Sequence, residues 1–399
     1  MKRLLLRGFL FLLAAGLALQ ILPWREAAMA FASLSPILSL LGAAAARAAT
    51  AWTLLGLPVL VLAFLRSRWF CRYACPVGLA TEAVGRLNRK GRGRFAKWPH
   101  LGRWLFLLLL GGAAAGYPFF LWLDPLSLFS GFFSAWKAPL ARTSLALAAG
   151  FPLVLLISWI APQAWCHRLC PLGAMQDLLS IARRKLHPAP SAARAAGPSL
   201  GRRAFLGVAA GGVLALALRR LLRDKALPVR PPGARPEDRF TGLCARCGAC
   251  IRACPSHILR PDTGDSGLDG LLAPVVDYSQ NHCFEYCNEC SKVCPTGAIE
   301  RLALDAKRNR AMGLAEVYRG KCIAWSYGQY CMVCHEFCPY LAIDAVERRG
   351  VNCPVVKADM CRGCGACQVN CPAQPDKAIV VQGIPQRPAR PMEDASGPA

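Results

Sequence analysis

The stretch CRGCGACQVNCP, residues 361–372, decides the fold of the C-terminal part of this chain. Its cysteines follow the spacing C-x2-C-x2-C-x3-C, and the last of them, Cys371, is followed by Pro372. Three cysteines on one tight loop can reach three corners of a cubane [4Fe-4S] cluster, and in two-cluster ferredoxins the fourth cysteine ligates the neighbouring cluster. Small residues such as Gly363 and Gly365 let the loop backbone approach the sulfur atoms. The stretch therefore predicts an α+β, bacterial-type ferredoxin fold with clusters in pairs.

Related quartets of cysteines occur four times between residues 240 and 382, which we interpret as a polyferredoxin domain with four cluster-binding loops. The first and fourth quartets are regular, the second is wider by one residue at its start, and the third opens with C-x8-C. The insertion in the third contains Trp325, Tyr327 and Tyr330, and we expect it to alter potential or exposure without removing a cluster. The predicted iron ligands are Cys244, Cys247, Cys250, Cys254, Cys283, Cys287, Cys290, Cys294, Cys322, Cys331, Cys334, Cys338, Cys361, Cys364, Cys367 and Cys371.

Residues 331–335, CMVCH, also match the C-x-x-C-H motif of covalent c-type haem attachment. Assigning Cys331 and Cys334 to haem would leave Cys322 and Cys338 without a role, whereas the cluster interpretation uses all four. We therefore favour a cluster at this loop. Cys353 lies outside every quartet, and we interpret it as a packed thiol.

Composition changes sharply before residue 240. The chain has 399 residues, 54% of them hydrophobic, and a formal net charge of +25. Residues 1–239 contain 31 basic and 7 acidic residues, whereas residues 240–399 contain 17 and 16, so the first part carries almost all of the charge. Its basic residues lie between apolar stretches, as in the cytoplasmic loops of membrane proteins. We therefore expect contact with a lipid bilayer and no nucleic-acid partner.

Four apolar stretches approach the length needed to cross a bilayer core of about 30 Å, and we predict a transmembrane helix from each. They are residues 8–22, 50–65, 104–123 and 144–160. Residues 66–103 contain ten Lys or Arg and residues 163–203 contain seven, so we place both segments in the cytoplasm. Residues 27–46 carry no charge, but a crossing there would move the ten positive residues outside. We interpret that segment as interfacial or re-entrant on the outer face.

Residues 1–186 contain an internal duplication, which predicts a four-helix membrane domain with two-fold architecture and a site at the interface of the repeats. The residues that recur 95 positions apart are Cys71, Cys75, Pro76 and Gly78 in the first copy and Cys166, Cys170, Pro171 and Gly173 in the second. The four thiolates could ligate one shared cluster or metal, or pair as redox dithiols. Alternatively, they are small buried residues where Pro and Gly end helices.

Residues 187–239 form a linker that begins with a stretch rich in Ala, Pro and Ser, residues 187–201. Arg202-Arg203-Ala204-Phe205 and a weakly apolar stretch to Leu218 follow, and the linker ends in a basic run and a Pro-rich segment. The Arg pair resembles a twin-arginine export signal, and we favour a fifth membrane helix that places the clusters outside. Against this, fifteen residues span only about 22 Å, and the basic run 219–225 would lie outside. The alternative is an interfacial basic helix with the clusters inside. Residues 383–399 are predicted to be a disordered tail.

These motifs resemble two known families. The stretches 69–77, 124–128 and 165–174, with WFC…CPV, DPLSL and WC…CPLGA, resemble the NapH/MauN-type quinol dehydrogenase membrane component over about residues 1–186. From about residue 200 onward, the Arg pair, the MGLA stretch at 312–315 and the third and fourth quartets resemble the NapG/MauM-type polyferredoxin. The chain looks like a fusion of the two. It departs from them in having no quartet between Pro171 and Arg202 and in the spacing of the second quartet.

The resemblance implies quinol oxidation at the bacterial inner membrane and transfer of electrons through four [4Fe-4S] clusters to a periplasmic reductase or its cytochrome. The chain would be the electron-transfer component of a quinol dehydrogenase, with no catalytic residue assigned. A second hypothesis is an accessory factor that matures or reactivates a metalloenzyme through the cysteines of the duplication. A third is a cytoplasmic-facing ferredoxin subunit of a membrane redox complex.

Overall fold

The fold is that of a computed structural model of the chain, in which residues 2–21, 26–49, 51–88, 98–136, 142–186, 200–222 and 227–388 are described. The chain forms two compact units. The first comprises residues 1–224, 238–252 and 293–298, and the second comprises residues 225–237, 253–292 and 299–399. Residues 187–199 and 223–226 of the predicted linker, and residues 389–399 of the predicted tail, lie outside the described residues.

The first unit is helical where it is described. Its helices are α1 (Lys2–Ala18), α2 (Ala27–Ser33), α3 (Gly42–Ala46), α4 (Gly56–Leu65), α5 (Trp69–Tyr73), α6 (Pro76–Leu87), α7 (Leu101–Ala114), α8 (Pro125–Ser134), α9 (Arg142–Ala148), α10 (Gly150–Ile160), α11 (Pro171–Leu186), α12 (Leu200–Leu222) and α13 (Glu237–Leu243). Wider π-helical turns occur at Ile37–Leu41 and Trp165–Leu169, and tighter 3-10 turns occur at Ala51–Leu55 and Leu121–Leu123.

Within the described ranges, one helix is long and apolar enough to cross a bilayer. This is the segment Arg203–Leu221 of α12, with 19 residues and a mean hydropathy of 1.6. The helices Ala27–Ser33 and Ile37–Ala46 pass the same criterion only as a pair, and they are bent by 97°. Shorter apolar helices are Leu4–Ala18, Trp52–Leu65, Leu101–Ala114 and Ser144–Ile160. The described residues thus contain one or two candidate spans, and the prediction of four spans is not confirmed.

The helix of the linker is longer than the sequence predicted. The apolar stretch of about fifteen residues is extended at both ends, so that α12 has 23 residues and a length of about 34 Å at 1.5 Å per residue. Arg219 and Arg220 form part of its last turn, since a helical backbone continues as readily through Arg as through Leu. The objection that this segment is too short to span a membrane is therefore removed.

The two copies of the duplicated motif have the same local structure. In each, an apolar helix (α4 or α10) is followed by a short helical turn with the first cysteine, and then by a long helix beginning with proline (α6 or α11). Arg68 and Gln163, 95 positions apart, both adopt left-handed backbone angles, with φ of 55° and 64°. The copies pack crosswise, since α10 contacts α6 and α11 contacts α4. The hydroxyl of Ser35 donates to Asp124, its counterpart 89 positions later, at 2.6 Å.

Aromatic side chains fill the core of the first unit. The ring of Phe129, on α8, is fully buried. Its centroid lies 5.5 Å from those of Phe11 and Phe151 and 5.9 Å from that of Phe31. Edge-to-face and tilted contacts of this kind stabilise aromatic clusters beyond the area that they bury. The core therefore joins α1, α2, α8 and α10, which come from both copies of the duplication.

The described part of the second unit contains small antiparallel sheets and short helices, which agrees with the predicted α+β class. The strand pairs are β1 (Leu259–Pro261) with β2 (Pro274–Val276), β3 (Arg310–Val317) with β6 (Ile379–Pro388), and β4 (Ile343–Arg348) with β5 (Val351–Val356). Further helices in the described residues are α14 (Ala249–Ala253), most of which belongs to the first unit, and α15 (Glu289–Lys292), α16 (Leu304–Arg308), α17 (Ile323–Tyr327), α18 (Val333–Glu336) and α19 (Ala366–Asn370). A 3-10 turn covers Arg319–Lys321.

The C-terminal strand corrects the predicted start of the tail. Residues 383–388 were expected to be disordered, but β6 continues through them to Pro388. They pair with the start of β3, where Gly383 lies opposite Gly313, and a bulge follows between Gly313 and Ala311. Ladder hydrogen bonds to β3 supply the order that the composition of this segment does not indicate.

Candidate iron–sulfur sites

The third and fourth quartets exchange their last cysteines. One cavity of about 350 Å³ is lined by Cys322, Cys331 and Cys334 of the third quartet and by Cys371 of the fourth. A second cavity of about 310 Å³ is lined by the first three cysteines of the fourth quartet and by Cys338 of the third. Each cavity is therefore surrounded by four thiols, three from one loop and one from the other. This is the ligand arrangement of two-cluster ferredoxins, as the sequence predicted.

The first two quartets also exchange their last cysteines, and each group of four cysteines that results lies within one unit. Cys294 belongs to the first unit, together with the first three cysteines of the first quartet. Burial and then the proximity of Cys294 raise the pKa of Cys247 to about 12, against the opposing hydrogen bond from the backbone of Ala249. Cys254 belongs to the second unit, where burial and then Cys254 and Cys287 raise the pKa of Cys283 to about 11 against the opposing charge of Lys307.

The sixteen predicted ligands thus form four groups, named here by the loop that contributes three of the cysteines. Set 1 is Cys244, Cys247, Cys250 and Cys294; set 2 is Cys283, Cys287, Cys290 and Cys254; set 3 is Cys322, Cys331, Cys334 and Cys371; set 4 is Cys361, Cys364, Cys367 and Cys338.

Glycine is required where the loop of set 4 turns. Gly363 adopts a φ of 68°, and a Cβ atom there would lie 2.5 Å from the backbone of Gly313 on β3. The carbonyl of Gly363 accepts a hydrogen bond from the buried hydroxyl of Tyr278. In set 1 the position equivalent to Gly363 is Arg246, with a φ of 54°, and Gly248, with a φ of 69°, is equivalent to Gly365, with a φ of 86°. Left-handed angles at these positions turn the loop so that its cysteines face one centre.

The donor set and its surroundings fit a cubane cluster. The backbone amides of Ala315 and Ala342 donate to the sulfurs of Cys361 and Cys338, at 3.5 and 3.3 Å, and such bonds tune cluster potentials. Burial and then neighbouring thiols raise the pKa of Cys334 to about 12, so bound iron would take the place of the proton. Among the described side chains, no three His, Cys, Asp or Glu converge closely enough for a single metal ion. A cubane is larger than one ion and holds its ligands further apart.

The geometry also bears on the haem-like motif. Cys331 and Cys334 line one cavity with two further thiols, so the cluster interpretation uses all four cysteines. His335 is exposed and does not line that cavity. Cys353 is 1% exposed and lies outside the four sets, with its thiol 3.8 Å from the carbonyl oxygen of Val351, as expected for a packed thiol.

The loop of set 1 packs against one end of the helices of the first unit. The contacts are the side-chain amide of Gln20 to the carbonyl of Ala249 (3.1 Å), the guanidinium of Arg252 to the carbonyl of Leu19 (2.6 Å), and the guanidinium of Arg246 above the ring of Trp122 (5.2 Å). A Cβ atom on Gly248 would lie 2.8 Å from side-chain atoms of Leu147 and Ser134. The loop therefore fits closely over the ends of α1 and α8 and the residues preceding α10.

The cysteines of the two C-x3-C-P motifs also come together, at the other end of these helices. Cys75 and Cys170 are buried, and Cys71 and Cys166 are partly exposed. Burial and then the proximity of Cys166 raise the pKa of Cys71 to about 12. Cys170 is in turn close enough to Cys71, Cys166 and Cys75 for them to raise its pKa further. They follow the segment Ser144–Ile160 and its counterpart, so about 20 Å of helix, from Leu147 to Ile160, separates them from the end that contacts set 1.

Residues that the sequence reasoning missed surround this second group of thiols. The side-chain amide of Gln176 donates to Cys71 Sγ at 3.0 Å, and the hydroxyl of Thr81 lies 3.4 Å from Cys166 Sγ. Gln176 and Thr81 are themselves 95 positions apart. Extending the comparison of the two copies by a few residues beyond the glycines would have identified them.

Comparisons with known proteins agree with this geometry. Residues 243–298 match a family described as a 4Fe-4S dicluster domain, and residues 48–94 and 143–188 each match a family described as a 4Fe-4S binding domain. No solved structure matches the chain.

Curated relatives are ferredoxin-type proteins. The chain is 36% identical over 182 residues to the methylamine utilization ferredoxin-type protein MauM of Methylorubrum extorquens, covering 41% of this chain and 80% of that protein. It is 35% identical over 198 residues to the ferredoxin-type protein NapG of Escherichia coli, covering 45% and 84%. It is 30% identical over 145 residues to the E. coli ferredoxin-type protein NapF, covering 36% and 80%. The chain therefore belongs to the NapG/MauM family of ferredoxin-type iron–sulfur electron-transfer proteins.

Proposed function

We propose that this protein oxidises quinol at the bacterial inner membrane and passes the electrons through four [4Fe-4S] clusters, held by sets 1 to 4, to a periplasmic reductase or its cytochrome. The observation that carries the proposal is the packing of the set 1 loop against the ends of the apolar helices in the first unit. A cluster in set 1 would lie beside the region where a quinol dissolved in the bilayer reaches the helix ends. Ferredoxin clusters accept electrons only from donors that come close to them. The contact between the set 1 loop and the helix ends would bring the cluster close to the quinol.

The surface of the first unit supports a lipid environment. Large apolar side chains project outward along its helices, including Phe9 and Leu12 on α1 and Leu153 and Trp159 on α10, each at least half exposed. Only 17% of the apolar segment of α12 is buried. Soluble proteins rarely expose continuous apolar surfaces of this extent, whereas lipid covers them without cost. Some of the apolar helices are only near the minimum length for crossing a bilayer. Local thinning of the bilayer or interfacial side chains would accommodate them.

The charge distribution supports a periplasmic position for set 1. The basic residues described within 66–88 and 163–186 lie at the end of the helices that carries the four repeat cysteines. The positive-inside rule assigns that end to the cytoplasm. Set 1, at the opposite end, then faces the periplasm, which agrees with export guided by the Arg202-Arg203 pair. The quinol site in this proposal lies near the outer face, so electrons need not cross the bilayer to reach set 1.

The ligand exchange supports a route from one set to the next. Quinol oxidation releases two electrons and two protons, and a bound [4Fe-4S] cluster supplies one-electron transfer, so each quinol requires two one-electron steps. Cys250 of set 1 and Cys254 of set 2 are four positions apart in the chain, and Cys371 joins set 3 to the loop of set 4. Tyr327 and Tyr330, in the insertion of the third quartet, are 73% and 74% exposed. We propose this insertion as the contact for the electron acceptor.

Quinol reduction of the purified protein tests the proposal. The full chain is reconstituted in vesicles under anaerobic conditions, and the visible absorbance of its clusters is followed after addition of a reduced quinol. Bleaching is expected, with slower bleaching for Arg246→Ala, which removes the contact with Trp122. Arg260→Ala, at a partly exposed arginine of the second unit that pairs with Asp265 and Asp277, is the control. Clusters that dithionite reduces but quinol leaves oxidised would overturn the proposal.

The side of the membrane is tested separately. A topology reporter fused after Gly397 is expected to be active in the periplasm. Activity only in the cytoplasm would instead favour the cytoplasmic-facing ferredoxin subunit.

A further inference from the structure

We propose that Cys71, Cys75, Cys166 and Cys170 together hold one further iron–sulfur cluster, to which each repeat contributes two thiolates. This site is separate from sets 1 to 4 and does not depend on quinol as the electron donor. Each of the two matches to a 4Fe-4S binding domain contains only two cysteines, whereas a cubane cluster takes four. The fold supplies the other two by bringing the repeats together.

The four sulfurs are surrounded by hydrogen-bond donors arranged with two-fold symmetry. Within the repeats, the backbone amides of Gly78 and Gly173 donate to Cys75 Sγ and Cys170 Sγ, and both distances are 3.4 Å. These bonds are equivalent in the two copies. Donors to the sulfur ligands are a regular feature of iron–sulfur sites, where they stabilise the charge of the thiolates.

Between the repeats, the groups that contact sulfur are polar side chains. Gln176 of the second repeat donates to Cys71 of the first, and Thr81 of the first repeat contacts Cys166 of the second. Each copy thus supports the first cysteine of the other from an equivalent position on α11 or α6. Two independent dithiol pairs would not need these crossed contacts. A single group at the interface accounts for all four contacts.

Electrostatics at the site favour a negatively charged group. Cys75 is the N-cap of α6, a helix of 12 residues, and Cys170 directly precedes the 16 residues of α11. Helix N-termini stabilise thiolates. The guanidinium of Arg68 is fixed by two hydrogen bonds of 2.6 Å to the carboxylate of Asp177. Its positive charge opposes the effect of burial on the pKa of Cys71 and Cys166.

The backbone leaves little freedom around the thiols. A Cβ atom on Gly78 would lie 2.7 Å from the carbonyl oxygen of Cys71, and one on Gly173 would lie 2.6 Å from that of Cys166. The start of each long helix is therefore pressed against the turn that carries the first cysteine. The four thiols are held in place by packing before any ligand binds, which is what a structural metal–sulfur site requires.

Iron counting in paired variants tests the proposal. Cys71→Ser/Cys75→Ser removes the thiols of the first repeat, Cys166→Ser/Cys170→Ser removes those of the second, and a third variant removes all four. The full chain is purified anaerobically in detergent, and iron, acid-labile sulfide and zinc are measured per chain. If one [4Fe-4S] cluster is shared, each of the three variants loses about one fifth of the iron of a five-cluster protein. Cys353→Ser, at a packed thiol outside every set, keeps all of it.

The other outcomes overturn the proposal. Unchanged iron in all three variants would show that the thiols hold no cluster, and loss of zinc alone would indicate a single metal ion. If the four-cysteine variant loses twice the iron of either pair, the repeats bind separate groups. None of these measurements uses quinol, so the cluster proposal can fail while the proposed function holds, and the proposed function can fail while the cluster proposal holds.

A second measurement covers the case in which the serine variants do not fold. Thr81→Val and Gln176→Leu remove one donor each and keep every cysteine. Both are expected to retain full iron and to lower the midpoint potential of one centre, because a lost donor stabilises the oxidised form. Thr81→Ser, which keeps the hydroxyl, is expected to keep the midpoint potential of the unsubstituted protein. Potentials that do not respond to either variant would contradict a cluster at this site.

Discussion

The chain contains two regions in which C-x3-C-P motifs bring four thiols together, and they do so differently. In sets 3 and 4 of the ferredoxin region, three cysteines come from one loop and the fourth from the partner loop. In the helical region, each repeat contributes two cysteines. The donors to sulfur in set 4 are backbone amides, whereas in the helical region side chains from the opposite repeat also take part.

The local turn is nevertheless shared. Cys71 lies in the short helix α5, and Cys75 follows the C-cap of that helix, Ala74; Cys367 lies in the short helix α19, and Cys371 is its C-cap. What differs is the chain after the proline. Pro76 begins a helix of 12 residues, so that Cys75 becomes its N-cap, whereas a loop follows Pro372 before β6. The same four-residue spacing therefore serves a loop site in one region and an interface between helices in the other.

The largest expected effect is the loss of iron when two ligand cysteines are replaced together, either in the same set or in two different sets. Cys334→Ala/Cys371→Ala removes two ligands of set 3, and the loss of one cluster is expected, about four iron atoms. Cys367→Ala/Cys371→Ala removes two cysteines of one quartet but of two sets, and about eight iron atoms should be lost. Iron analysis of the purified proteins measures the difference, with Cys353→Ser as the control. Equal losses in the two double variants would show that the quartets do not exchange their fourth cysteines.

The spacing of the ferredoxin cysteines was sufficient to predict that clusters come in pairs and that each fourth cysteine points to a neighbouring cluster, because ligand geometry constrains the sequence directly. Which quartets form a pair, as the third and fourth do through Cys338 and Cys371, depends on the fold and could not be predicted. The helical region was less predictable. The offset of 95 indicated the two-fold relation, but the crossed contacts of Thr81 and Gln176 depend on how α6 and α11 pack, which no local pattern specifies. The length of α12 was underestimated because arginines that end an apolar stretch do not end a helix.

A smaller effect is expected from the glycines that close the helical site. Gly78→Ala and Gly173→Ala each place a methyl group against a backbone carbonyl that cannot move aside, and overpacking of this kind costs about 1–3 kcal/mol. Gly16→Ala is the matched control, because a Cβ there meets nothing within 4 Å. It is expected to be neutral or stabilising, since alanine favours a helix. Thermal unfolding in detergent measures the three variants, and equal midpoints would contradict the close approach.

An ion pair on α6 gives a smaller, pH-dependent effect. Burial alone would raise the pKa of Glu82, but hydrogen bonds and charges from Arg7 and Arg86 outweigh it and hold the pKa below its ordinary value. A lowered carboxyl pKa stabilises the fold above the pKa of the unfolded chain, and this contribution is lost as the pH falls through the folded pKa.

Arg7→Met is therefore expected to cost about 1–2 kcal/mol at neutral pH, because Arg7 is 6% exposed and Glu82 28%. Arg86→Met should cost at most about 0.5 kcal/mol, because Arg86 is 61% exposed. The difference from the unsubstituted protein should shrink below the ordinary glutamate pKa, as measured by helical circular dichroism on heating. A difference that persists in acid would assign the effect to packing of the Arg7 side chain.

The smallest expected effect distinguishes a cluster from haem at set 3. In c-type attachment the histidine of C-x-x-C-H ligates the iron, so its replacement would change the haem spectrum. Here His335 is exposed, and Cys331 and Cys334 line a cavity with Cys322 and Cys371. His335→Gln is therefore expected to leave the visible spectrum and iron content unchanged and to alter stability by less than about 0.5 kcal/mol. Cys334→Ala, one position earlier, removes a ligand and should reduce the iron content. A Soret band that shifts on substitution of His335 would show that Cys331 and Cys334 bind haem, and Cys371 would then have no cluster to ligate.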